Sequence, residues 1–274
     1  MKKIICCITV AALTLSGCNG NEKKAQVRLS NARIMFENNE LFAAKNEIDS
    51  IRILYPKEFK VLKESLTLMR LVEQKEAERT LAYCDSLLPI KIAEAEVVKK
   101  NFVFEKDSEY EEIGNYIWRQ QTIERNTERC YIRCGVNEKG EMYLASVYYG
   151  ANPINHTSVK LSTNNGMFAE TASIAYDGGM NYRFKDDGFT SEIVTYKGTN
   201  GLDAINLIYN NEKERVRVEY SGDKPFIIYM AAGDKKSVVE TFNFGAVLSD
   251  IEYMTREKEK AIKRLDYLAG KLNE

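Results

Sequence analysis

Apolar residues recur along this chain in three textures. Behind two lysines (Lys2, Lys3), Ile4 to Leu15 form a nearly unbroken apolar run. That run is too short to cross a hydrocarbon core of roughly 30 Å, and its basic start and trailing small residues read as a secretory signal. From Val27 to about Val98 the apolar positions step by three and four. Val27, Leu29, Ala32, Ile34 and Phe36 predict one helix. Leu41, Ala44, Ile48, Ile51 and Leu54 predict a second, with Asn39 as N-cap and Tyr55-Pro56 as its stop. Lys57 to about Leu87 predicts one long helix or two closely joined, Pro89 a break, and Ile92 to Val98 another helix.

From Tyr116 the period falls to two. Cys130, Ile132, Cys134 and Val136 alternate with Tyr131, Arg133 and Gly135, which turns the cysteines toward a core. Asn137 to Gly140 is a turn, and Met142 to Tyr149 the returning strand of a hairpin. Further strands are predicted at 159–161, 167–175, 181–184, 189–196, 204–209, 215–220 and 226–230, separated by Gly- and Asn-rich turns. Eight to ten short strands at this spacing predict an antiparallel sandwich or barrel. Without helical patterns between them, parallel βαβ units are excluded.

The chain closes on a helix whose start is marked by Ser249-Asp-Ile-Glu252, a capping box. Ile251, Met254, Ala261, Leu265, Leu268 and Leu272 give it an apolar seam needing a partner, and the N-terminal helices are the natural one. The fold class is therefore α+β. Residues 1–18 are a signal peptide, 19–24 a polar tether, 25–105 helical, 106–245 an antiparallel β domain and 246–274 the C-terminal helix.

Leu15-Ser16-Gly17-Cys18 resembles the lipobox of bacterial lipoproteins. The resemblance implies cleavage before Cys18, diacylation of its sulfur and acylation, typically palmitate, of the new N-terminus. It implies a cell-envelope protein whose first partner is a membrane, reached through the lipid. Asn19, not aspartate, follows the cysteine, which points to the outer membrane. Residues 25–56 resemble a tetratricopeptide-type helical hairpin through Ala32, Phe36, Leu41, Ala44, Ile51, Tyr55 and Pro56, although no second copy follows. The whole chain resembles bacterial lipoproteins that join a helical stalk to a β domain, a resemblance that brings no functional residue beyond Cys18.

Composition narrows the chemistry. With 39 basic and 40 acidic residues the net charge is −1, so there is no electrostatic case for nucleic acid. Of six cysteines, Cys84, Cys130 and Cys134 remain beyond the signal and the lipidation site, an odd number that allows at most one internal bridge. His156 is the sole histidine, and strand parity with Ser158 and Lys160 places it on the solvent side. Neither Gly-x-Ser-x-Gly, a phosphate-binding loop nor His-Glu-x-x-His occurs. No catalytic residue, metal ligand or cofactor is predicted. Asp177 with Asp186 or Asp187 would be a glycosidase-like carboxylate pair, but glycine turns account for aspartate there. Asp49-Ser50-Ile51 and Asp85-Ser86-Leu87 resemble a short glycan acceptor used on exported bacterial proteins. The tyrosine-rich β domain offers Trp118, Tyr148, Tyr149 and Tyr182 as candidates for binding a glycan or a protein. The expected role is a non-enzymatic interaction or scaffold protein.

Overall fold

The computed structural model describes residues 18–106, 109 and 112–272. The apolar run and Leu15-Ser16-Gly17 lie outside the described residues. Two compact units divide the chain, one of residues 1–86 with 256–274 and one of residues 87–255. The β-containing unit is thus an insertion in the sequence of the helical one.

The helical unit is built on α1 (Cys18–Glu37), α2 (Leu41–Leu54) and the first part of α3 (Phe59–Lys99). Ala25, Leu29 and Ala32 of α1 meet Leu41, Ala44, Ile48 and Ile51 of α2, with Val61, Leu68 and Val72 of α3 completing the core. Small residues on α1 let α2 approach closely, which is the packing the hairpin pattern predicts. Asn39 sits between α1 and α2 at φ 72°, the left-handed geometry that asparagine tolerates. It ends α1 instead of capping α2, whose N-cap position is Glu40. The polar run 19–24, read as a tether, forms the first turns of α1. The end of α5 (Ala232–Leu272) joins this unit. Arg70 donates to the Lys271 carbonyl at 2.8 Å, Arg264 pairs with Glu73, and Lys258 pairs with Asp85 at 2.6 Å. The C-terminal helix therefore does pack on the N-terminal helices.

Among the described residues the β unit carries ten antiparallel strands in two sheets. β1 (Phe102–Glu105), β2 (Asn115–Trp118), β3 (Tyr131–Asn137), β4 (Met142–Gly150), β7 (Asn181–Asp186) and β8 (Phe189–Lys197) form the larger, in the order β1-β2-β3-β4-β8-β7. β5 (Ser158–Thr163), β6 (Phe168–Glu170), β9 (Val216–Ser221) and β10 (Phe226–Tyr229) form the smaller, in the order β10-β9-β5-β6. Inward Ile132, Cys134, Leu144, Val194 and Tyr196 of one sheet share a core with Val159, Leu161, Val216, Val218 and Tyr220 of the other. That is a sandwich. Beyond its edge, Phe102 and Tyr116 pack on Phe244, Val247 and Leu248 of α5 and on Ala95 of α3.

Three elements depart from the pattern reading. Residues 204–209, expected as a strand, lie in α4 (Thr199–Asn210), whose Gly201, Ala204, Ile205 and Ile208 are buried at helical spacing. The Gly198 turn before them, at φ 58°, starts the helix instead of separating strands. Helix α3 runs through Pro89, which stands at an exposed position, so the backbone hydrogen bond it cannot make is lost on the solvent side of the helix and not in a core. Helix α5 begins seventeen residues before the capping box, because Val238, Thr241, Phe244 and Val247 already bury one helical face. Within that helix Ser249 Oγ turns to the Lys139 and Gly140 carbonyls, at 3.5 and 3.4 Å.

Candidate functional site

The densest chemistry in the molecule is a chain of side chains between the sheets. Ser146 on β4 and Glu192 on β8 both point inward, and His156 stands in the loop ahead of β5. Ser146 Oγ lies 2.8 Å from His156 Nε2, and His156 Nδ1 lies 2.8 Å from Glu192 Oε2. The tautomer follows from the partners: Nδ1–H donates to the carboxylate and Nε2 accepts from the serine hydroxyl. Ser146 Oγ also meets the Tyr196 hydroxyl at 3.1 Å. In connectivity this is a nucleophile, a base and an orienting acid.

Its surroundings give it another role. Ser146, His156 and Glu192 are 0%, 1% and 2% exposed, so no substrate reaches the serine as the chain is folded. Glu192 is instead the anchor of a loop. Its Oε1 accepts the backbone N–H groups of Ile154 and Asn155 at 2.8 and 2.9 Å, and its Oε2 that of His156 at 3.0 Å. Asn155 at φ 53° turns these successive amides onto one anion, a backbone nest. Burial alone would raise the carboxyl pKa. The His156 ring and the three amides outweigh it and hold Glu192 at about 2. Gly222 closes the back of the loop, because a Cβ there would stand 2.2 Å from the Ile154 carbonyl oxygen.

This placement corrects the reading of His156 as solvent-facing. Parity counted back from Val159 fails because β5 starts only at Ser158 and the left-handed Asn155 reverses the chain just before it. Of the thiols, Cys84 and Cys134 are buried and Cys130 is half-buried. Cys84, Cys130 and Cys134 are unbridged, and burial pushes Cys134 up to about 12. Asp177 spends its Oδ1 on the amides of Gly179 and Asn181, both at 2.9 Å, as its turn position predicted. Ser50 and Ser86 both turn back to carbonyls of their own helices. Among the described residues no group of three or more His, Cys, Asp or Glu could hold a metal ion.

Register sorts the four candidate aromatics onto opposite faces of the larger sheet. Tyr149 pairs across with Ser191, which pairs with Phe184, while Val147, Ile193 and Tyr182 form the adjoining row. These two rows face outward. Tyr149 stacks on Phe189 at 5.0 Å and 12°, and Tyr182 lies near Phe184 at 6.5 Å and 15°. Tyr148 and Trp118 face inward. Tyr148 is buried with its hydroxyl on the Asn152 carbonyl at 2.7 Å, and Trp118 packs edge-on against Phe102 at 5.2 Å. Sequence reasoning missed Phe184 and Phe189. Their strand parity with Tyr182 and Ser191 was the available signal.

Comparison with protein-family models, with curated proteins and with solved structures finds no match to this chain. The residues alone therefore carry the functional argument.

Proposed function

We propose that the chain is a lipid-anchored protein of the cell envelope, held in the outer membrane through acylated Cys18 and acting by interaction and not by catalysis. The observation that carries this is Leu15-Ser16-Gly17-Cys18 closing a short apolar run behind two lysines. Two structural facts support it. Helix α1 begins at Cys18, and Ala25, seven residues on, is already buried, so a lipid at Cys18 would sit close to packed structure. Ser146 is sealed in a core where Tyr196 and His156 already engage its hydroxyl. No helix among the described residues is long and apolar enough to cross a membrane.

Bacterial cells producing the full chain and fed an alkyne-tagged palmitate will label it, and Cys18→Ala will abolish the label and leave the chain at precursor size. Label retained on the Cys18→Ala chain would sink the reading.

A second reading has its own observation, the two near-parallel aromatic pairs on the outer sheet face. Two near-parallel ring pairs on the sheet face that also carries Ser191 and Thr195 offer stacking for a sugar face or a peptide side chain. A polysaccharide that retards the protein in affinity electrophoresis should lose at least tenfold in apparent affinity when Tyr149→Ala and Tyr182→Ala are combined. Equal retardation of the double variant removes this face as the site.

A further inference from the structure

Three large apolar side chains project into solvent where α2 ends and α3 begins. Ile53, Leu54 and Phe59 are 71%, 54% and 78% exposed. Around them the sequence Arg52-Ile-Leu-Tyr-Pro-Lys-Glu-Phe-Lys60 sets Arg52, Lys57 and Lys60, with Lys63 one turn further, all exposed. Tyr55 holds the turn from inside, half-buried against the helical core.

The hairpin fixes which end of the unit this tip occupies. α1 and α2 are joined by the short 38–40 turn and run antiparallel, with Arg28 on Glu47 at 2.9 Å. The start of α1 therefore lies at the same end as the end of α2. From buried Ala25 to Cys18 is seven residues, about 10 Å of helix rise. Lys23 and Lys24, both exposed, lie in the intervening turns. Around the tip and the start of α1, six exposed basic residues stand against four acidic ones, Glu22, Asp49, Glu58 and Glu64, with Arg52 paired to Asp49 at 3.3 Å.

We infer that this tip is a membrane-contact surface for an anionic phospholipid bilayer, the one that holds the acyl chains of Cys18. The inference rests on the reading of Cys18 as the acylated residue. Exposed apolar side chains at the end of a helical hairpin, flanked by lysine and arginine, suit the headgroup boundary: the apolar groups enter the interface and the cations meet lipid phosphates. The acyl chains already retain the protein. The tip fixes its orientation, tilting the hairpin so that α2–α3 rests on the surface. Phe42 is a built-in comparison. It is also 78% exposed, but it stands at the other end of α2, about 18 Å along the helix from Leu54.

The test uses the chain from residue 18 onward, carrying Cys18→Ser and no lipid, so its outcome does not depend on acylation. With vesicles of phosphatidylglycerol and phosphatidylcholine, this chain should co-sediment, and less so as salt rises. Combining Ile53→Ser, Leu54→Ser and Phe59→Ser should lower the bound fraction at least tenfold with an unchanged melting temperature. Phe42→Ser should bind like the parent. The inference is overturned by a parent that does not co-sediment, by a triple variant that binds equally, or by equal loss in Phe42→Ser. It is overturned too if the tip substitutions instead dissociate a dimer seen without vesicles, which would make the tip a self-association surface.

Discussion

Glu192→Gln is expected to destabilise the β unit by about 3 kcal/mol at neutral pH, measured by denaturant unfolding. The figure follows from a carboxyl held at about 2 against an ordinary 4.5, at about 1.4 kcal/mol per pH unit. The sign is fixed by linkage. The folded pKa is depressed, so the unfolded chain binds a proton that the folded chain does not between pH 4.5 and 2. The stabilisation is complete above about pH 4.5 and is lost as pH falls toward 2. The parent should therefore lose stability across that window more steeply than the variant, and the two curves should converge at its acid end. Glutamine adds a second injury, since its amide nitrogen presents donors to amides that need an acceptor. A variant within 1 kcal/mol of the parent at pH 7 would show that the 154–156 loop does not depend on the carboxylate.

Phe244→Ala should cost about 3 to 5 kcal/mol, the range for emptying a fully buried aromatic site. Phe244 is completely buried where α5 crosses the inner face of β1 and β2, 4.7 Å from the Phe102 ring and 5.3 Å from Tyr116. Trp118, the single tryptophan, touches the same cluster through Phe102 and reports on it directly. The variant should show a red-shifted Trp118 emission together with the lower unfolding midpoint. Unchanged emission with a loss below 1 kcal/mol would mean that the cluster collapses around the gap and that α5 is held elsewhere.

Some of this was legible from residue order alone. The helical hairpin followed from Ala32, Leu41, Ala44 and Ile48, because a three-and-four spacing gathers small and apolar residues on one face of each helix and a short turn brings the two faces together. The β3–β4 hairpin followed from Asn137 to Gly140 between alternating runs. The extent of α5 was hidden, since Phe242, Phe244 and Val247 are as strand-prone as they are helical, and only the sheet that Phe244 covers decides between them. The buried array was hidden for a different reason. Alternation carries information only within a strand, and His156 lies two residues outside one. Its partners on β4 and β8 are 10 and 36 positions away, so nothing local announces them.

The discontinuous helical unit bears on how the chain is made. Arg70 and the Lys271 carbonyl that it grips are 201 positions apart in sequence, whereas the α1–α2 hairpin closes over a three-residue turn. During synthesis the hairpin can form early, but the surface of α3 that receives residues 256–272 stays uncovered until those residues of α5 emerge. Throughout that interval the growing chain presents this uncovered face of α3, and emergence of residues 256–272 is the event that ends the exposure.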